Sequence, residues 1–355
     1  MIQPRLKSDE LYPRLWNELQ HYAPGEQFMS IRQIMRKFEV SQLVVDRTLS
    51  RLREEEFLTA EGGRGLFVSE KISRFTADTP ETVLCAVPRW HSHDILEMLN
   101  TFRELQPEFP RQRLLEYEFD FARPLPGVLP LLEENVKGNL LHPAGDEFDA
   151  AEAEAFNRLR GGIPAVMFGR NCLSSRLPSV SLDDTFAGSL AARQLHRNGH
   201  RKLAVLLSEP HNCATLDRVK GVEDYAELNE LELEVIDCSV RSGEFAPGKT
   251  YDHMFERLQR KFDFTGIVGV ASNSLSGLLN ACHNRNIGIP GELSVVTIGS
   301  IGLTRTFAPP VDTVETDLPG QIKAALELLA SGNPGNISLK TNLIEQGSVL
   351  NLNTK

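Results

Sequence analysis

The chain lacks any C-x-x-C pair. Its five cysteines, Cys85, Cys172, Cys213, Cys238 and Cys282, are scattered through 355 residues. That spacing predicts reduced, mostly buried thiols in a cytosolic protein rather than a disulfide framework. No apolar run approaches the roughly 18 residues that a membrane span needs. The opening stretch, MIQPRLKSDELYPRLW, has no apolar core of a secretory signal. A cytoplasmic protein without membrane contact is expected. G-x-S-x-G, H-E-x-x-H, a Walker loop and a clustered Cys/His set are all missing. No enzyme, no cofactor and no metal is therefore expected. The segment His91-Ser92-His93-Asp94 is the nearest thing to a metal cluster, and two loop histidines at i, i+2 are thin support. Short repeats and low-complexity tracts are also absent.

Charge is present but unevenly spread. The net charge is −10. Residues 1–75 hold 12 basic and 11 acidic residues, whereas the remainder holds 26 and 37. The acid lies outside the N-terminal segment, where it limits non-specific sticking to polyanions.

The first 70 residues read as helix, helix, helix, hairpin. From Asp9 to His21, Leu11, Leu15 and Leu19 recur at four-residue spacing beside Tyr12 and Trp16, which makes one helical stripe. Pro24-Gly25 ends it. Ser30 with Gln33 has the pattern of a capping box. Ile31, Ile34, Met35 and Phe38 give the second helix its apolar face. Glu39-Val40 makes a short turn, and Ser41 is placed to cap a third helix. There Val45, Leu49 and Leu52 face inward, leaving Gln42, Leu43, Asp46, Arg47, Ser50 and Arg51 outward. Phe57–Ala60 and Leu66–Val68 are short strand candidates around a Gly-rich tip, Glu61–Gly65. The sum is a winged helix-turn-helix over residues 1–70. Residues 71–81 read as a polar linker.

From residue 82 to 355 the pattern alternates. Strand-like runs at Val83–Val87, Leu114–Phe119, Gly138–Leu141, Ala165–Phe168, Leu203–Leu207, Leu233–Asp237, Gly266–Val270 and Leu293–Ile298 are separated by helix-period stretches such as Ile95–Leu105 and Gly188–Leu195. Alternating β and α over some 270 residues predicts an α/β body with parallel sheets, in two lobes.

The N-terminal segment resembles the GntR-type winged-helix family. Phe28-Met29-Ser30-Ile31-Arg32-Gln33-Ile34 stands where that family has L-P-S-E-R-x-L. The run from Ser41 to Leu49 stands where it has S-R-x-T-V-R-x-A-L, and Gly63-Arg64-Gly65-Leu66-Phe67-Val68 matches its G-R-G-T-F-V wing. The body resembles the LacI/GalR regulators, whose sensing domain is like periplasmic sugar-binding proteins. Val180-Ser181-Leu182-Asp183-Asp184, Gly199-His200-Arg201, Arg218-Val219-Lys220-Gly221-Val222 and Ile289-Pro290-Gly291-Glu292-Leu293-Ser294-Val295-Val296 carry that likeness in the family's order. A GntR-type head on a LacI-type body is the arabinose-repressor architecture. It implies a homodimeric regulator, a repressor, that binds a double-stranded DNA operator and a carbohydrate effector.

A recognition helix presents its N-terminal residues to base edges, while cationic and hydrogen-bonding groups hold phosphates. The expected DNA-contacting set is Arg32, Ser41, Gln42, Val44, Asp46, Arg47 and Arg64. For Arg47, as for Arg51, a solvated face is an equal reading. Gln42 and Asp46 replace the family's usual arginines. An amide reads adenine, a carboxylate accepts from cytosine, and Val44 suits a thymine methyl. With about one net positive charge on the segment, a shallow salt dependence is expected.

A two-lobed α/β receptor binds ligand outside the carboxyl ends of its strands. The expected effector-contacting set is Trp90, His91, Arg170, Phe186, Arg218, Ser272 and Asn273. Trp90 would stack on a sugar or else cap the core. Phe186 is either a cleft aromatic or core, and Arg218 has an ion pair between the lobes as its alternative role. Gly169 and Gly299-Ser300 stand where the family has aspartates that grip hydroxyls. An unusual ligand, an anion held by Arg170 and Arg218, or a lost site acting through protein contacts are the readings this leaves, with a sugar-processing enzyme as the rival.

Overall fold

The computed structural model describes residues 7–19, 21–72, 81–90, 92–123, 125–127, 129, 136–145, 150–170 and 176–354. Among these, no helix is long and apolar enough to cross a membrane.

The head has three helices, α1 (Lys7–Leu19), α2 (Ile31–Phe38) and α3 (Gln42–Glu54), then an antiparallel hairpin of β1 (Leu58–Glu61) and β2 (Gly65–Val68). The stripes read from the sequence close on one another. Leu11, Leu15 and Leu19 bury against Ile34, Val45, Leu49, Leu52 and Val68, with Ile72 in the same cluster. Ser30 and Gln33 form the expected capping box. Glu39 ends α2 in the left-handed conformation at φ 53°, which turns the chain into α3. Ser41 holds the position before α3 but its hydroxyl makes no cap bond. Pairing of Glu61 with Gly65 shortens the wing tip to Gly62-Gly63-Arg64.

The body has two six-stranded sheets. In the first lobe these are β3 (Glu81–Pro88), β4 (Gln112–Phe119), β5 (Val136–Leu141), β6 (Ala165–Phe168), β7 (Ser179–Leu182) and the late strand β13 (Ile337–Leu339). Their spatial order is β13-β7-β6-β5-β3-β4, and every pair is parallel. In the second lobe are β8 (Lys202–Leu207), β9 (Glu232–Asp237), β10 (Gly266–Gly269), β11 (Ser294–Gly299), β12 (Asp312–Glu315) and β14 (Leu343–Ile344). Their order is β14-β12-β11-β10-β8-β9, parallel except for β14. Parallel strands covered on both faces are buried throughout, which is why β3, β8 and β11 read as continuous apolar runs. All eight runs expected from the sequence are strands. The strands β7, β12, β13 and β14 were not among them. They are two to four residues long, and Ser179, Ser181, Asp312 and Thr313 dilute their apolar signal.

Helices flank both sheets: α4 (His93–Leu105) and α5 (Ala150–Leu159) in the first lobe; α6 (Asp184–Arg197), α7 (Cys213–Leu228), α8 (Ala246–Arg257), α9 (Leu275–Asn284) and the short α10 (Ile301–Thr304) in the second. The last long helix, α11 (Leu318–Ser331), follows a strand of the second lobe. It nevertheless buries Leu318, Ile322, Ala325 and Leu326 in the core of the first. The chain therefore crosses between lobes three times, at Asp183, at Thr316-Asp317 and at Lys340–Asn342. Backbone bonds from Asp183 N–H to Leu339 O and from Glu315 N–H to Asn342 O tie the crossings together. Three short crossing segments, two of them held to the third, join the lobes in the arrangement of a hinge.

Candidate functional site

In each sheet the second strand lies on one side of the first and the third lies on the other. The connections thus leave in opposite directions at β3/β5 and at β8/β10, and a crevice opens outside the carboxyl ends of those strands. The two crevices face one another. From the first lobe come Trp90, Ser92, His93, Asp94 and Glu97 after β3, His142 after β5 and Gly169-Arg170 after β6. From the second come Asp184, Glu209 after β8, Val270–Asn273 after β10 and Ser300 after β11.

The lobes meet across this cleft. His93 N–H donates to Asn273 Oδ1 at 3.3 Å, and Asn273 Nδ2 donates to Glu209 Oε1 at 3.4 Å. At the mouth Trp90 lies against Phe121, with ring centroids 5.3 Å apart. Phe121 in turn closes on Gly243 of the second lobe, where a Cβ would come within 3.1 Å of the ring. Trp90 is half-buried and packs on the core of the first lobe, which is its core-capping role. Phe186, on the first turn of α6, is 39% exposed. His91 lies outside the described residues.

Arg218 donates from Nε to Asp184 Oδ1 at 2.7 Å and from Nη1 to the Val270 carbonyl at 2.9 Å. The pair lies within the second lobe. Burial raises the Asp184 carboxyl above the usual range, and the Arg218 charge opposes that shift. The Arg170 and Arg218 guanidiniums both act on Asp94 and Glu209, so both cations face the cleft. Ser272 is buried, and its Oγ accepts from Ser300 N–H at 3.1 Å.

The glycines at the family's aspartate positions have a steric cause. Gly169 sits at φ 77° with a Cβ position 2.6 Å from His142 Nδ1. His142 is buried, bonds the Phe168 carbonyl through Nδ1 at 3.0 Å, and is pushed down to about 3 by burial and then by Arg170. It stays neutral and fills the space a side chain would need. At Gly299 a Cβ would lie 2.1 Å from Ser272 Oγ.

Carboxylates enter the cleft from other elements instead. Asp94 and Glu97, on α4, and Glu209, after β8, are each raised chiefly by burial. The sequence singled out neither Glu97 nor Glu209, and Asp94, in the first turn of α4, reads equally as serving the helix dipole. Glu209 is pushed up to about 7, with Asp94 adding to the burial effect. The folded chain then holds a proton that an unfolded glutamate releases near 4.5. Stability must fall as pH rises from about 4.5 to about 7, because the folded state binds more protons in that window. Glu209→Gln should remove this slope and gain on the order of 2–3 kcal/mol above pH 7. Urea unfolding at several pH values reads the effect. Parallel curves for variant and parent would refute burial as the cause.

In the head, the outer face of α3 is open. Ser41, Gln42 and Arg47 are exposed, Val44 and Asp46 half-exposed, and Leu43 is 61% exposed. Arg32 is exposed at the start of α2. A groove of 780 Å³ runs between α2, α3 and the wing, lined by Ser30, Arg32, Asp46, Ser50, Arg53 and Leu66 among others. Arg51 is taken up by Glu55 at 2.9 Å and by the Tyr12 ring at 4.1 Å. Arg64 pairs with Glu61 at 2.7 Å, both exposed, at the wing tip.

The second lobe, its hinge and the crevice are those of a two-lobed periplasmic-binding-protein-like domain. Residues 192–349 match the family profile of that domain. The HTH-type transcriptional regulator GalR of Salmonella typhimurium is 26% identical over 149 residues, 42% of this chain and 43% of the relative. The HTH-type transcriptional repressor PurR of Actinobacillus pleuropneumoniae is 24% identical over 232 residues, 63% of this chain and 67% of the relative. The match thus spans under half of GalR's length. The crystal structure of a LacI family regulator from Weissella paramesenteroides with bound glucose superposes with a TM-score of 0.61. It shares 20% identity and covers 77% of this chain and 100% of its own. The body therefore has the fold seen in LacI-type regulators.

Proposed function

We propose that the chain is a sequence-specific transcriptional regulator, a repressor, with a GntR-type winged head over residues 1–70. The stretch between Ile72, in the head's core, and Glu81, the first residue of β3, joins it to a sensing body that dimerises; of the linker expected at 71–81, residues 73–80 lie outside those described. The observation that carries this reading is the pairing of two surfaces. One is the open outer face of α3, with Gln42 and Arg47 exposed, beside exposed Arg32 of α2. The other is a hinged cleft whose lobes already touch through His93 and Asn273. Relatives named as HTH-type regulators, and a similar fold with glucose bound, support a regulator and a sugar-like effector. The cleft favours a hydroxyl-rich ligand over an anion. Arg218 is already bound to Asp184, and Asp94, Glu97 and Glu209 offer acceptors for hydroxyl donors.

Ligand closing the lobes changes the spacing of two heads in a dimer, and DNA affinity follows. A gel shift with the DNA upstream of the chain's own gene tests the head. Arg32→Ala and Arg47→Ala should each weaken binding about tenfold and lower the salt slope by about 1. Arg64→Ala should weaken it as well. Unchanged affinity in all three would sink the DNA-binding surface. A thermal-shift series over neutral sugars tests the cleft, since a ligand bound by the folded form raises the midpoint.

A further inference from the structure

His93 and Asp94 belong to the His91–Asp94 run whose two loop histidines alone are thin support for a metal; α4 adds Glu97 and brings the three together at its cleft end. His93 and Glu97 are four apart and share a helix face; Asp94 is three from Glu97. One ligand atom from each, the His93 Nδ1 and a carboxylate oxygen of Asp94 and of Glu97, lies within 4.8 Å of the other two. His93 Nδ1 and Glu97 Oε2 are 3.8 Å apart, too far for a hydrogen bond.

A second observation is independent of that spacing. Among the described residues, nine buried side-chain polar atoms have no hydrogen-bond partner. Three of them are His93 Nδ1, Asp94 Oδ1 and Glu97 Oε2. Leaving one buried polar atom unbonded is costly, and three converging on one point is not the pattern of a packing defect. The Asp94 Oδ1 and Glu97 Oε2 atoms are buried, although the His93 and Glu97 side chains stay 32% and 24% exposed, and Glu209 adds a third carboxyl nearby. Carboxyls this close repel when ionised, and a bound cation would relieve that repulsion as protonation otherwise does.

We infer that His93, Asp94 and Glu97 form a divalent-cation site in the interlobe cleft, of the zinc class. An imidazole nitrogen and two carboxylate oxygens are a ligand set that zinc accepts, leaving a position open. Ligand atoms about 2.1 Å from zinc stand roughly 3.4 Å apart in a tetrahedron, so the three need only small side-chain rotations to close. The N-terminal dipole of α4, Arg170 and Arg218 oppose a cation; two buried carboxylates outweigh them at direct contact. Asn273, which accepts from His93 N–H, and Ser300, which acts on the Glu97 carboxyl, bring the other lobe beside the three, and a ligand hydroxyl or water would complete the shell. The site stands on this geometry and does not depend on the DNA-binding reading.

Isothermal titration of the chelator-stripped full chain with zinc sulfate alone tests it. One equivalent should bind, and Asp94→Asn and Glu97→Gln should each weaken binding at least tenfold. Cobalt substitution should give visible d–d absorption that His93→Ala alters. Thermal melts of each variant establish that it is folded. Parent-like zinc affinity in folded Asp94→Asn and Glu97→Gln variants overturns the site, as does the absence of binding to the parent. Loss of operator binding with zinc binding intact would instead refute the regulator reading alone.

Discussion

Replacing Gly188 by alanine is expected to destabilise the second lobe by about 3 kcal/mol or more, at the upper end of overpacking costs. Gly188 on α6 faces α7 so closely that a Cβ would lie 2.0 Å from the Arg218 carbonyl oxygen. Gly221 on α7 mirrors it, with a Cβ 2.0 Å from the Thr185 carbonyl oxygen. Backbone meets backbone, so no rotamer change relieves the clash and the helices must part. Gly221→Ala should cost a similar amount. The double variant should cost clearly less than the sum, because one separation relieves both clashes. Gly291→Ala is the control, since nothing lies within 4 Å of its Cβ position. Urea unfolding measures all four. A Gly188→Ala midpoint equal to that of Gly291→Ala would refute the close crossing.

That crossing also sets Arg218 beside Asp184. Arg218→Ala should cost roughly 3–5 kcal/mol, the usual result of leaving one partner of a buried pair alone. The side chains are only 14% and 9% exposed, so solvent screens the stranded carboxylate little. Replacing both residues, Arg218→Met with Asp184→Leu, should recover most of the loss, because the buried charge is then gone. The double variant should still lose any thermal shift with sugar, since the cleft has lost a cation facing Asp94 and Glu209. A double variant less stable than Arg218→Ala would show that the pair is not the main contribution.

Much of the fold was legible because periodicity is local. The α1 stripe, the Ser30–Gln33 box and eight apolar runs needed no knowledge of their partners. The short strands were not legible. Buried Asp312 in β12 accepts from Gln194 Nε2 and from the N–H groups of Gln346, Gly347 and Ser348. These donors lie far away in sequence, so the residue looks like a surface acid until the chain folds.

The site divides in the same way. The open face of α3 follows from which residues its apolar face claims, so the sequence alone determined it. It likewise determined the three helices and hairpin of the head and the alternating α/β body. Tertiary structure decided where the cleft's acid comes from. Gly169 has no room for a side chain because His142 fills the space, and the carboxylates arrive from α4 and β8 instead. It also decided that Arg51 is spent on Glu55 and Tyr12, and that His93, Asp94 and Glu97 converge unbonded. Spacing along one helix fixes which residues share a face; only the folded cleft decides which of their polar atoms are cut off from solvent.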